Sequence, residues 1–394
     1  MLRAMQLEHG IQLAYCTNIH RGESWPETFA NLQLHTMAVR ERVAPNQAYA
    51  IGLRLSDRAA RELSDPSVLG DFRRWLDRRN CYVFTINGFP FGPFHGGSVK
   101  EQVYVPDWTM PERVAYTNRL FDLLSRIVPE GMEGSVSTVP GSFKEFIRTP
   151  DQESAMRANL WRCVEHIAAL SERSGRDLHL GLEPEPLCYL ETTPESIRFF
   201  ERLRADRPGD SRLDRHLGIN YDACHLAVEF EDPAAGLDQL AEAGIRLSKV
   251  HLSSALIVRP CEASRNALRA FADATYLHQV VVRQGDGTLT RYRDLEPALA
   301  ARPKADATEE WRIHFHVPLY SPPSDMFDTT TDHLLGVLKV LSRDPRRCRH
   351  LEMETYTWEV LPAELKQRGV VDQLVDEYRW TLARLREHGL LAAG

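Results

Sequence analysis

The stretch HLGLEPEP, His179 to Pro186, decides how this chain is read. Its first half is an apolar run of strand type, and its second half sets two glutamates each against a proline. Proline donates no ladder hydrogen bond and keeps the preceding residue extended, so the strand ends at the acids. No lysine or arginine stands within the stretch to neutralise them. A buried carboxylate needs a partner, and one that sits at the end of a buried strand asks for a cation from outside the chain.

Working outward, short strand-like runs alternate with longer amphipathic ones. The strand candidates are 11–18, 49–56, 81–88, 134–140, 178–184, 217–222, 246–254, 311–318 and 350–357. Between most of them, stretches such as PERVAYTNRLFDLLSRIV and TDHLLGVLKVLS carry apolar residues at helical spacing behind Ser, Thr, Asp or Pro starts. This alternation predicts a parallel sheet with crossover helices, and the expected architecture is a (β/α)₈ TIM barrel. Nine candidates are one too many for eight barrel strands. LHQVVVRQGDGTLTRYRDL reads as a hairpin around Gly-Asp-Gly, so an insertion is expected at about 255–310, with WRIHFHVP just after it as the surplus strand. No stretch of linker composition and no short repeat divides the chain, which reads as a single domain over 1–394.

Composition narrows the function classes. A net charge of −7 with scattered basic residues argues against nucleic acid as a partner, and the run RDPRRCRH at 343–350 reads as a solvated loop. Seven cysteines without a C-x-x-C pair fit buried free thiols in a reducing cytoplasm. No apolar run is long enough for a membrane span, and no leader pattern opens the chain, so a cytoplasmic location is expected.

The chemistry gathers at strand ends, which in a barrel converge on one catalytic face. Glu183, Asp222, His251 and Glu354 close successive strand candidates in GLEPEP, GINYDACH, SKVHLSS and LEMETYT. Three carboxylates and one imidazole form a hard, oxygen-rich set suited to one divalent ion, Mn²⁺, Co²⁺, Zn²⁺ or Mg²⁺.

Those elements resemble the Glu, Asp-x-x-His, His and Glu motifs of the xylose-isomerase-like TIM barrels, which include sugar isomerases, ketose 3-epimerases and endonuclease IV. LAYCTNIHRGESW, FTINGFPFGPFH, VKEQVYVPDW, SVSTVPGSFK, GLEPEP, HFHVP and ETYTWEVLP further resemble the EboE family of metabolite traffic proteins, linked to handling of a cyclitol-type or prenyl-linked metabolite. The resemblance implies a metal held by Glu183, Asp222, His251 and Glu354, with His225 facing a substrate. It also implies Glu183 and Glu354 as a catalytic pair that moves a proton on a sugar, cyclitol or related polyhydroxy compound. A carrier that keeps the metal site without turnover is the alternative of a different class. An endonuclease IV-like phosphodiesterase also shares the fold, but that chemistry calls for a multi-zinc cluster and a basic groove.

Several positions stay open in the sequence. Glu352 shares parity with Glu354, which is favoured because it lies nearer the strand's end. His314 and His316 share a face in IHFHVP, so His316 is either packed on aromatics, a substrate contact, or a ligand in place of His251. The loop NGFPFGPFHGGSVKEQVYVPDW, Asn87 to Trp108, is too aromatic for a plain solvated connection and reads as a lid, with Phe91, Phe94 and His95 as substrate contacts. Asn18, His20 and Glu23 share that edge, and Lys144 is placed there to hold a carboxylate or phosphate, or else is a surface lysine. No P-loop, dinucleotide-binding fingerprint or nucleophile elbow is present.

Overall fold

The computed structural model describes residues 7–301, 308–360 and 368–391. Eight strands run parallel as a nearly closed barrel: β1 (Gln12–Tyr15), β2 (Tyr49–Arg54), β3 (Cys81–Asn87), β4 (Gly134–Thr138), β5 (Leu178–Leu182), β6 (Leu217–Asp222), β7 (Arg246–Leu252) and β13 (His350–Met353). Neighbours follow chain order from β2 to β7, then β13, then β1. Between β1 and β2 the ladder thins to one parallel bridge, Cys16 with Gly52. Tyr378, on the helix Val370–Glu387, fills that seam: its hydroxyl accepts from the Tyr15 amide at 3.2 Å and meets the Tyr49 hydroxyl at 3.0 Å.

The barrel strands are buried along nearly their whole length, because helices cover the outer face and side chains fill the inner one. Helix starts follow the capping chemistry written in the sequence. Ser24 with Glu27 and Thr149 with Gln152 form capping boxes, and Pro occupies the first helical turn after both. Among the described residues no helix is long and apolar enough to cross a membrane.

The expected surplus strand does leave the barrel. A second sheet is made of β8 (Leu256–Val258), β9 (Val280–Arg283), β10 (Leu289–Tyr292), β11 (Glu310–Ile313) and β12 (Asp328–Thr329), in the order β10-β9-β11-β8-β12. β9 and β10 form the antiparallel hairpin, with Arg283 opposite Leu289. β11, from WRIHFHVP, pairs antiparallel with both β9 and β8, so the added sheet extends to Thr329 rather than ending near 310. It has its own apolar core, in which Leu268, Val280, Leu295, Trp311 and Phe315 are buried. Six cysteines are buried and Cys261 is exposed.

Candidate metal centre

Backbone geometry delivers the four predicted ligands to one place. Glu183 and Glu354 each follow a barrel strand by one step, and their amides extend the ladders: Glu183 N–H donates to Thr138 O and Glu354 N–H to Leu252 O, both at 3.1 Å. Asp222 ends β6 and caps the short helix Ala223–Val228, accepting from the His225 amide at 2.9 Å and from the Ser253 hydroxyl at 2.8 Å. In the β6–β7 ladder Asp222 lies beside His251, and in the β7–β13 ladder His251 lies beside Glu352. The four side chains are buried, and each offers a ligand atom within 4.8 Å of the others.

One nitrogen organises the cluster. His251 Nδ1 lies 2.9 Å from Glu183 Oε1, 3.0 Å from Glu354 Oε2 and 3.3 Å from Asp222 Oδ2. A single N–H serves one acceptor well, so three carboxylates around it form the surroundings of a cation. Burial alone would lower the His251 pKa, but the charges of Glu354 and Glu183 hold it well above the usual imidazole value. Glu183 Oε2 and Asp222 Oδ2 are buried with no hydrogen-bond partner. Three hard oxygen donors, one imidazole and two orphaned acceptors fit a divalent ion.

The two acids in and just after β13 have separate surroundings. Glu352 also points into the barrel, but it lies beneath the cluster, where Lys249 Nζ reaches its Oε2 at 2.6 Å. Despite burial, Lys249 and His251 pull the Glu352 carboxyl down to about 2. Glu354 faces upward, and its Oε1 accepts from Asn18 Nδ2 at 2.7 Å and Asn87 Nδ2 at 3.0 Å. Asn18 lies in the 3-10 turn Thr17–Ile19 that follows β1, and Asn87 ends β3, on the edge where the sequence placed Asn18.

Above the cluster opens a cavity. Glu183, Glu354 and His225 form part of its polar floor, and Phe89, Phe94, Val103, Tyr276 and Tyr356 supply apolar walls. The loop after β3 meets the added sheet's segment across this mouth: the Thr275 carbonyl accepts from the Val99 and Lys100 amides at 2.8 and 2.9 Å, and Phe94 packs on Tyr276 and Tyr356. His95 is tied to Asn18 O and to the Tyr276 hydroxyl, each at 2.6 Å, which braces the wall from behind.

Of the residues expected at the substrate, His225 and Phe94 line the cavity, whereas Phe91, His95, Lys144 and His316 are not among its lining residues. Phe91 turns outward to pack edge-on against Tyr116, with Arg113 beside its ring, and is not among the cavity's lining residues. Lys144 pairs with Glu191 and Glu195, outside that cavity. His316 is buried beside Asp222 and Glu354, with Nδ1 facing the Glu354 carbonyl at 2.9 Å.

Residues that the sequence did not single out complete the polar side. Glu185, in the same EPEP stretch, accepts from the Tyr104 hydroxyl at 2.6 Å and from Gln279 Nε2 at 3.1 Å. Burial pushes its carboxyl up to about 7, against the pull of His225. Tyr104 and Gln279 come from the loop and the insertion, where no period marks a side chain's direction. The Pro after Glu185 repeats the pattern at Glu183 and was the available signal.

No protein-family model matches the chain, and no curated protein sequence matches it. Solved structures do. A xylose isomerase-like TIM barrel protein from Mycobacterium smegmatis in complex with magnesium has a TM-score of 0.52 at 12% identity, over 96% of this chain and 98% of that one. An L-ribulose 3-epimerase has a TM-score of 0.50 at 12% identity, over 96% and 95%. The IOLI protein with a bound zinc atom has a TM-score of 0.50 at 12% identity, over 95% and 98%. At such identities the likeness speaks to architecture, and it agrees with the strand order: the chain has the xylose isomerase-like TIM-barrel fold.

Proposed function

We propose that this protein is a metal-dependent isomerase or epimerase that moves a proton on a sugar, cyclitol or related polyhydroxy metabolite. The observation that carries the reading is the position of two carboxylates, Glu183 and Glu354, on the floor of one cavity and within a four-residue cluster suited to a cation. Glu183, Asp222, His251 and Glu354 would hold the ion. When bound, a divalent ion supplies Lewis acidity, which makes the C–H beside a chelated carbonyl easier to deprotonate.

The chain's own groups then have defined tasks. One of Glu183 and Glu354 removes the proton and the other returns it, from different strands around the barrel. Asn18 and Asn87 fix the Glu354 carboxylate through Oε1 and leave Oε2 toward the cluster. Glu185 and Tyr104 present a carboxyl and a hydroxyl to the ligand's remaining oxygens, and the aromatic wall excludes water. The magnesium and zinc in two structural neighbours and the epimerase activity named for a third support this reading.

The likeness of the sequence motifs to EboE-type traffic proteins favours a second reading, a carrier that binds the metabolite without turnover. Its supporting observation is the apolar character of the cavity wall, which suits retention of a ligand with a hydrophobic face. Incubation of metal-loaded protein with a panel of ketoses, aldoses and cyclitols in D₂O separates the two. The enzyme incorporates deuterium at carbon, and incorporation stops in Glu183→Gln and Glu354→Gln. A ligand that binds tightly and never exchanges its C–H protons refutes the isomerase.

A further inference from the structure

The stretch that ends in Glu183 begins with a histidine the cavity does not use. His179 shares parity with Glu183 along β5, and His350 shares it with Glu352 and Glu354 along β13, so both imidazoles face the barrel interior near its N-terminal end. At about 3.3 Å per residue, each sits about 13 Å below the acid that closes its strand. Glu133 stands just ahead of β4 and completes a group in which Glu133, His179 and His350 each offer a ligand atom within 4.8 Å of the others. The two rings are each 1% exposed, and the Glu133 side chain is 23% exposed.

The hydrogen bonds leave one side of these rings open. His350 Nδ1 lies 2.8 Å from the Ser135 hydroxyl, which donates to Thr85 Oγ1 at 2.8 Å and so accepts from the ring. The His350 proton is therefore on Nδ1, and Nε2 is a lone pair. His179 Nδ1 meets Ser248 Oγ at 2.5 Å, while its buried Nε2 has no hydrogen-bond partner. Glu133 Oε2 stands 3.6 Å from that nitrogen, too far for a hydrogen bond. Two metal bonds of about 2.0–2.2 Å span ligand atoms up to about 4 Å apart, so the gap suits two ligands on one ion.

The outer partners of such a site are also in place. Ser135 and Ser248 orient the rings through Nδ1, and Arg349 and Arg246 hold Glu133 Oε1 and Oε2 at 2.7 and 2.9 Å. Arg246 is shared with Asp177 at 2.9 Å, so two carboxylates offset the two guanidiniums. The exposed edge at Glu133 lets water or a small anion complete the shell of an ion.

We propose that Glu133, His179 and His350 hold a divalent cation of their own, a structural ion at the N-terminal end of the barrel. Two imidazoles and one carboxylate favour Zn²⁺ or Co²⁺ over Mg²⁺. β6 and β7 stand between β5 and β13 in the sheet, so the ion ties strands that share no ladder. Because it binds the folded chain, it raises stability in proportion to the logarithm of its concentration.

The test titrates chelator-stripped wild type, Glu183→Gln, His179→Gln and His350→Gln with Zn²⁺, counts bound metal by elemental analysis after gel filtration, and melts the same samples. Glu183→Gln should keep one equivalent and melt higher with Zn²⁺ than without it. His179→Gln and His350→Gln should each bind one equivalent fewer than wild type, and either change added to Glu183→Gln should abolish both its uptake and its melting shift. No uptake by Glu183→Gln overturns the proposal, as does uptake that neither histidine change reduces. An equivalent lost instead in His225→Gln would lie at the barrel mouth and also overturns it. Wild type that binds one equivalent, kept in Glu183→Gln and lost in His350→Gln, sustains this site and refutes the other. Should the histidine variants not fold, ¹⁵N-histidine spectra of Glu183→Gln titrated with Zn²⁺ decide: Nε2 of His179 and His350 shifts with the bound equivalent, or neither responds and the proposal falls.

Discussion

Glu352 Oε2 lies 3.0 Å from His251 Nε2, and this contact sets which nitrogen of His251 faces the cavity. The same oxygen accepts from Lys249 at 2.6 Å, so the carboxylate stays charged in the barrel interior and takes the Nε2 proton as its second donor. His251 then turns Nδ1 toward Glu183, Asp222 and Glu354. Glu352→Gln should weaken metal binding about 10–100-fold without removing any ligand. Competition with a chromogenic chelator measures it, and an unchanged affinity would mean that Glu352 has no part in orienting the ring.

Phe91 and Phe94 are close in sequence and different in surroundings, so they separate specificity from stability. Phe94→Ala removes a cavity wall and should weaken the true ligand by about 1–3 kcal/mol with metal content unchanged. Phe91→Ala should leave ligand affinity as it is and lower the melting temperature, because its ring packs on Tyr116 and Arg113. Calorimetric binding and thermal melts on both variants check the split, and equal losses of affinity would contradict it.

Gly52 gives Glu352 its room. A Cβ at this position would stand 2.0 Å from Glu352 Oε1 and 2.7 Å from the Tyr15 carbonyl. Gly52→Ala is therefore expected to push the Glu352 carboxylate off His251, destabilise the fold by about 1–3 kcal/mol and reduce metal retention together. Normal metal retention in a variant of lowered stability would show that Glu352 finds another rotamer that still reaches His251.

Glu377 predicts a pH dependence of stability. It is buried on the helix Val370–Glu387, accepts from the Thr355 hydroxyl at 2.7 Å, and burial raises its carboxyl to about 7. The folded state thus binds the proton more tightly than the unfolded chain, whose carboxyl titrates near 4.5. This group favours folding most below pH 4.5, and its contribution falls as pH rises from there to about 7 and is flat above. Glu377→Gln should flatten the wild-type slope in that window and raise stability at pH 8. Denaturant melts from pH 5 to 8 test it, and parallel curves for the two proteins would exclude Glu377 as the source.

The convergence of these four side chains was legible because each stands at the end of a barrel strand, where alternation and position together fix direction. Glu183, Asp222, His251 and Glu354 needed no knowledge of the loops. The choice of Glu354 over Glu352 rested on its place nearer the strand's C-terminal end, and the Glu354 amide does extend the ladder to Leu252 just past β13. Phe91 and Lys144 were harder, since a loop rich in Gly and Pro has no period that tells inward from outward. His314 and His316 follow β11, a strand of the added sheet, so barrel logic could not say that their rings would arrive beside Asp222 and His225.

The seam between β1 and β2 has a consequence for how this molecule breathes. Where other strand pairs share a ladder, this one relies on a single bridge and on the Tyr378 hydroxyl, which accepts the Tyr15 amide. Detachment of the helix Val370–Glu387 would open this seam, and the Tyr15 amide should exchange with solvent ahead of amides inside β5 and β6. The same helix carries Glu377, bonded to Thr355 beside Glu354. An ion held by the four-residue cluster should therefore slow hydrogen exchange at the Tyr15 amide, on a neighbouring strand that it would not touch.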